Sequence, residues 1–294
     1  MEEGEYRKLA AVEDRMWYFA ALHALIDREL TGFLGEQPAE LLDAGCGTGG
    51  LICRSGQLHP SWRWTGVDVS PLAVRLARER WSTGSGALTS ASSEDRGIAG
   101  SSSGTPFGVS GPDRGQCTKA LKASATQSNR NENARPPVIL EASLTSLPFP
   151  AARFDAIVSA DVLYHIANDN AALRELRRVL RPGGTLILNV PAHPWLWSYH
   201  DEAVGGLRRY RRGDLRRQLL AAGFATARLT HWNALLLPLI AARRKLFPPP
   251  KHGSDVQEFS PPLELLGRGA TALERAWLRL APLPFGSSLL AIAS

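Results

Sequence analysis

The ten residues Leu41-Leu42-Asp43-Ala44-Gly45-Cys46-Gly47-Thr48-Gly49-Gly50 constrain this chain more than any other stretch. An apolar pair leads into an aspartate, and glycines follow at positions 45, 47 and 49. An apolar run that ends in a glycine-rich turn reads as a buried strand turning sharply into a helix. Glycine lacks a Cβ, so the backbone can take positive φ and a ligand can lie against the main chain. The free N–H groups that open the next helix point at the same spot. The segment predicts a cradle for a nucleoside-bearing cofactor, with Asp43, Gly45, Cys46 and Gly47 at its rim.

The glycines leave the cofactor open. Gly45, Gly47 and Gly50 also satisfy the dinucleotide fingerprint, with Asp68 near where that fingerprint expects an acid. Asp43 weighs between the two readings. A carboxylate two residues before the first glycine repels a pyrophosphate and attracts an ammonium group. S-adenosyl-L-methionine carries an α-amino group, a sulfonium, a ribose and an adenine, and no phosphate. A nicotinamide-dependent oxidoreductase remains the rival enzyme.

Three further segments follow in order: Gly66-Val67-Asp68-Val69-Ser70-Pro71, Leu147 to Ile166 with Phe154-Asp155-Ala156-Ile157-Val158 at its centre, and Leu180-Arg181-Pro182-Gly183-Gly184-Thr185 running on to Pro191. With these four segments the chain resembles the class I S-adenosylmethionine-dependent methyltransferases, in the branch called methyltransferase type 11. The resemblance implies an α/β fold: a seven-stranded, mostly parallel Rossmann-like sheet with helices on both faces. It implies one methyltransferase domain over 1–294, with a helical lid at 5–30 and a helical cap at 234–283 before the last strand. It also implies the cofactor-binding set Asp43, Gly45, Cys46, Gly47, Asp68, Val69, Ser143 and Leu144. Asp68 would accept from both ribose hydroxyls. Related enzymes commonly place an aspartate for the adenine amino group where this chain has Ser143. A serine accepts more weakly than a carboxylate, and Glu141 is the nearby alternative. This departure keeps open a catalytically silent, methyltransferase-like binding protein.

On the acceptor side the resemblance points to Asp161, after the fourth strand, and to the loop Pro191–Asp201 after the fifth. Asp161, His193, His200 and Asp201 are the candidates to orient an acceptor or take its proton. The implied acceptor is a small molecule or a saccharide- or lipid-linked intermediate. No His, Cys, Asp or Glu group has metal-ligand spacing, and Cys46, Cys53 and Cys117 form neither a metal motif nor a disulfide framework.

Periodicity places the elements. Residues 5–30 read as one amphipathic helix, with Leu9, Met16, Phe19, Leu22 and Ile26 on one face. Strands are expected near 40–44, 63–68, 138–140, 154–159, 186–190, 225–231 and 287–293. Helices are expected near 49–57, 71–81, 168–180, 214–224 and 262–280, with a strongly apolar stretch over 233–247. Between about 82 and 136 the chain is rich in Ser, Gly, Asn, Thr and Arg, with few large apolar residues. Such composition cannot bury enough surface to offset ordering, so the stretch reads as a disordered insertion.

The formal net charge is +6, and Arg208, Arg209, Arg211, Arg212, Arg216 and Arg217 crowd one segment. With no nucleic-acid module beside them, they read as solvated surface or as a site for an anionic acceptor or lipid head group. Arg243-Arg244-Lys245 closes the apolar stretch, a pattern that suits peripheral membrane contact. The N-terminus reads as no signal peptide, and no apolar run approaches the roughly 20 residues that span a bilayer. The expectation is a cytoplasmic protein, soluble or peripheral to a membrane; the sequence is silent on oligomeric state.

Composition yields one direct test. Replacing about residues 84–134 with a short Gly/Ser linker should leave the fold and cofactor binding intact, because shortening a loop adds little closure entropy. Circular dichroism and a binding titration check this; loss of either would make the segment structural.

Overall fold

The computed structural model describes residues 2–83, 135–248 and 254–294. The expected insertion therefore lies almost wholly outside the described residues. Among these, seven strands form one sheet in the order β3-β2-β1-β4-β5-β7-β6. They are β1 (Ala39–Ala44), β2 (Trp62–Asp68), β3 (Val138–Glu141), β4 (Phe154–Ala160), β5 (Leu180–Pro191), β6 (Ala227–Trp232) and β7 (Ser288–Ala293). β7 runs antiparallel to both β5 and β6, and the remaining pairs are parallel. The expected α/β sheet with helices on both faces is what the chain forms.

The helices are α1 (Glu3–Val12), α2 (Trp17–Leu34), α3 (Gly50–Leu58), α4 (Pro71–Thr83), α5 (Asp169–Val179), α6 (Tyr199–Ala203), α7 (Arg212–Ala221), α8 (Leu237–Leu246) and α9 (Pro261–Trp277). One core packs α5 and α7, through Leu173, Leu176, Leu215 and Leu219, on Leu186, Leu188 and Leu289 of the sheet. The other packs Leu22, Leu25, Ile26 and Leu30 of α2 on Leu41, Trp62, Ile187 and Leu290. After β1 the chain steps outward to β2 and β3, then returns to β4 on the other side. That reversal opens a crevice beyond the carboxyl ends of β1 and β4, where open α/β sheets bind ligands.

Two expectations change. The single helix over 5–30 is two, broken at residues 13–16. Met16 is extended, with ψ 127°. The break has an electrostatic cause. Arg80, buried on α4, reaches Asp14 Oδ1 at 2.6 Å and Glu13 Oε2 at 3.3 Å. It also donates to the carbonyl of Ala10 at 3.1 Å. Holding both carboxylates turns the chain, so α1 lies against α4 while α2 runs along the sheet. The second change is in β5, expected near 186–190 but starting at Leu180, ahead of Pro182-Gly183-Gly184. The helix stops at Val179, and the triplet sits inside β5 as an irregularity: Phe154 faces Leu180, yet Ala156 faces Thr185.

α9 reaches α2 because Gly267 has no side chain; a Cβ there would meet Trp17 Cγ at 2.4 Å. Two residues on, Gly269 faces open space. Gly267→Val should therefore destabilise the fold by about 1–3 kcal/mol through overpacking, while Gly269→Val should be near neutral. Paired thermal melts check the contrast; equal melting points would show that this contact is not tight.

Candidate active site

The glycine turn makes the expected strand-to-helix corner. Gly45 has φ 88°, and a Cβ on it would lie 2.3 Å from Val162 Cγ2, so both conformation and space demand glycine there. Gly45 and Cys46 donate their N–H groups to the Val67 carbonyl at 2.8 and 2.9 Å, which ties the turn to the end of β2. Asp68 then receives Gly47 N–H on Oδ2 at 3.0 Å, and Ser70 N–H and the Tyr6 hydroxyl on Oδ1 at 2.9 and 3.1 Å. Tyr6 thus brings α1 directly onto the expected ribose acceptor.

A cavity of about 720 Å³ opens over this corner. Asp43, Gly45, Cys46, Gly47, Asp68, Val69, Ser143 and Leu144 all line it, so the structure brings the whole expected cofactor set together. Glu141 is not among the lining residues. Ser143 Oγ pairs with Thr145 Oγ1 at 2.9 Å. Leu144 is buried and Val69 exposed, offering apolar surface beside that hydroxyl.

Asp43 is only 3% exposed and has no hydrogen-bond partner among the described residues. Burial, with repulsion from Glu13 and Asp68, pushes its carboxyl up to about 8. Glu13 stands beside it, taking the Thr48 hydroxyl and Arg80. Burial raises Glu13 as well. The neighbouring His23 is pushed down to about 3 by burial, and so is neutral. An unpartnered buried carboxylate flanked by two more is a seat for a cation. An α-ammonium group fits it and a phosphate does not. Glu13 escaped the sequence reading because it sits within an apolar helical pattern with no motif around it.

On the other side of the turn, Asp161 follows β4 with φ 55°, a conformation uncommon outside glycine. Tyr18 donates to its Oδ2 at 2.9 Å and Asn189 Nδ2 to its Oδ1 at 2.8 Å. Trp232 Nε1 donates to Asn189 Oδ1 at 2.7 Å, and Tyr18 stacks on the Trp232 ring at 5.1 Å. Three strands and α2 thus aim one carboxylate into the cavity. Burial raises it to about 6.

The loop residues divide. His200 and Asp201 line the cavity, whereas His193 does not. His193 lies parallel to His231, ring centres 5.1 Å apart. Asp201 is held by Arg209 Nε at 2.7 Å and by Ser198 N–H at 2.9 Å, capping α6. His200 Nδ1 accepts from Asp255 N–H at 3.0 Å, which leaves the proton of the neutral ring on Nε2. Burial, with Arg244, pushes it down to about 4. The arginine run divides too. Arg209 is buried, while Arg211, Arg212, Arg216 and Arg217 are exposed. Among the described residues no group of three or more His, Cys, Asp or Glu is placed to hold a metal ion.

This geometry meets the comparisons with known proteins. A family model described as a methyltransferase domain matches residues 16–229. The chain belongs to the class I S-adenosylmethionine-dependent methyltransferases. Its cofactor is S-adenosylmethionine, whose ammonium group suits the Asp43 seat. Among solved structures, this methyltransferase resembles a chain from the Haloferax volcanii complex of the Trm112 methyltransferase activator with a candidate methyltransferase. That likeness has TM-score 0.52 and 18% identity, and covers 99% of this chain and 93% of that one. Haemonchus contortus phosphoethanolamine N-methyltransferase 2, in complex with S-adenosyl-L-methionine, matches with TM-score 0.51 and 13% identity over 92% of this chain and 52% of that one. These likenesses concern fold. A ubiquinone/menaquinone biosynthesis C-methyltransferase from Shewanella frigidimarina is 37% identical over 65 residues, 21% of this chain and 26% of that protein. One from Hahella chejuensis matches equally over the same share. The match thus spans about a quarter of these relatives' length.

The Asp43 seat predicts a pH dependence. Below pH 8 the free protein holds a proton on Asp43 that an ammonium ligand displaces. Binding therefore releases a proton, and affinity rises with pH. S-adenosylhomocysteine should bind up to about tenfold tighter per pH unit between 6 and 8, then level off. Asp43→Asn should bind more weakly with a flat profile. Calorimetry across that range checks both; a flat wild-type profile would sink the ion-pair assignment.

Proposed function

We propose that this methyltransferase acts on a small-molecule or saccharide- or lipid-linked acceptor taken up at a membrane surface, with Asp161 as the acceptor-side base. The observation that carries the reading is the continuity of one cavity. It runs from the Asp43 cradle past Asp161 to Leu236, Leu239 and Ile240 at α8 and Leu263 and Leu266 of α9. Leu246 of α8, Phe247 just past it, and Leu265, Leu273 and Trp277 of α9 are exposed. Exposed large apolar side chains beside Arg243 and Lys245 at the end of α8 suit anionic head groups. Among the described residues no helix is long and apolar enough to cross a membrane.

When bound, S-adenosylmethionine supplies an activated methyl group on a sulfonium. Asp43, Glu13 and the turn at Gly45–Gly47 hold its amino-acid end. Asp68 takes the ribose, and Val69, Ser143 and Leu144 receive the adenine. Residues 5–30 act as a lid, in which Tyr6 completes the ribose side and Tyr18 orients Asp161. In-line transfer chiefly needs alignment. Asp161, ionised above about pH 6, removes the proton from an acceptor hydroxyl or amine. His200 lies too low to take a proton near neutrality and serves as a donor.

Two measurements test this. The protein should float with vesicles containing anionic phospholipid, less so as salt rises, and less again as the Leu246→Glu, Leu265→Glu double variant. Labelled methyl from S-adenosylmethionine should pass into organic-extractable material at a rate that rises with pH through about 6. Asp161→Asn should lower that transfer at least about 10²-fold while keeping cofactor affinity. No flotation at low salt would remove the membrane, and undiminished transfer by Asp161→Asn would remove the base.

A further inference from the structure

The cap end of the cavity holds polar groups with hydrogen-bond donors to spare. The Arg209 side chain is 2% exposed, and its Nε and Nη1 serve Asp201 and the Ala192 carbonyl at 2.7 and 3.0 Å. Its Nη2 has no hydrogen-bond partner among the described residues. The Arg244 side chain is 11% exposed, and Nε alone is used, on Asp255 Oδ2 at 2.9 Å. Both Nη atoms of Arg244 lack a partner among the described residues. His200 turns its Nε2 proton away from Asp255. The Tyr164 hydroxyl makes no hydrogen bond among the described residues, although its residue is buried. All four residues line the one cavity.

Asp255 joins two of them, taking Arg244 Nε on its Oδ2 at 2.9 Å and giving its N–H to His200 at 3.0 Å. Arg209 and Arg244 repel one another, and both act on the Tyr164 hydroxyl and on His200. Arg209 reaches electrostatically as far as Asp161. Two guanidinium groups, each holding an aspartate through one edge, keep their other donors available to a ligand. Asp201 and Asp255 each satisfy one edge of one arginine and leave the others facing the cavity. A planar fork of N–H donors matches an oxyanion in two-point geometry. The phenol and the imidazole add two neutral donors and no acceptor demand. Such a set of donors favours an acceptor that can take several hydrogen bonds at once.

We propose that the acceptor carries an oxyanion, a carboxylate or a phosphate ester, that docks on Arg244, Arg209, Tyr164 and His200. The inference rests on reading this cavity as the acceptor site of a methyltransferase. It narrows that acceptor to an anionic amphiphile. Its charged head and nucleophile lie at the same end, one on the arginines and the other at Asp161, and its apolar body lies along α8 and α9. The exposed Arg211, Arg212, Arg216 and Arg217 play no part in this recognition.

The test uses the full chain saturated with S-adenosylhomocysteine, titrated calorimetrically with decanoate, decyl phosphate and decanol. At least one anion should bind about tenfold or more tighter than the alcohol, and the preferred one identifies the head group. Arg244→Gln should abolish most of that preference and leave decanol unchanged. Tyr164→Phe, which keeps the ring and its packing, should reduce the preference several-fold without altering cofactor affinity. Equal binding of all three probes, binding of none, or a preference that survives both substitutions would overturn the proposal. S-adenosylhomocysteine is titrated separately. Protein that binds the anions without it would fail as a methyltransferase and still hold an oxyanion site.

Discussion

The buried carboxylate of Asp43 is the constraint to which the rest of the site answers. A buried carboxyl at the end of a central strand, without a hydrogen-bond partner, is unfavourable to ionise in a folded chain. Here two more carboxylates stand beside it. Glu13 is offset by Arg80, and Asp68 by main-chain N–H groups and Tyr6. Only Asp43 is left for something from outside. The glycine turn keeps side chains away from that position, and α1 covers it. The chain thus accepts a local cost that a cationic ligand relieves.

On the acceptor side the electrostatics invert. Asp161 is held by neutral donors, Tyr18 and Asn189, which lets burial keep its affinity for a proton near the useful range. A few residues away, guanidinium groups replace carboxylates as the unsatisfied partners. One cavity therefore holds an unpartnered carboxyl at one end and spare guanidinium donors at the other.

Much of this was legible in the residues. The order of strands and helices followed from apolar periodicity and glycine punctuation, and the expected cofactor residues, drawn from the 41–50 turn, Asp68 and the family resemblance, line one cavity. Short-range chemistry of this kind lies within a few residues of sequence. What escaped depends on long-range pairing. Nothing local says that Glu13 and Asp14 turn toward Arg80 and so divide one helix into two. Nor does a run of six arginines show which one is buried. Arg209 is distinguished by Asp201, which lies in α6 and itself looked like a base. Likewise His193 and His200 stand in one loop, yet a parallel ring places one against His231 and a backbone amide turns the other inward.

Arg80 has a consequence beyond the helix break. It lies within one turn of Thr83, the last described residue before the serine- and glycine-rich stretch, and it grips the junction that roofs the cofactor seat. The base of that long stretch and the rim of the seat are thus fastened to a single guanidinium. Any force or partner that pulled on the stretch from its N-terminal side would be felt first at Glu13.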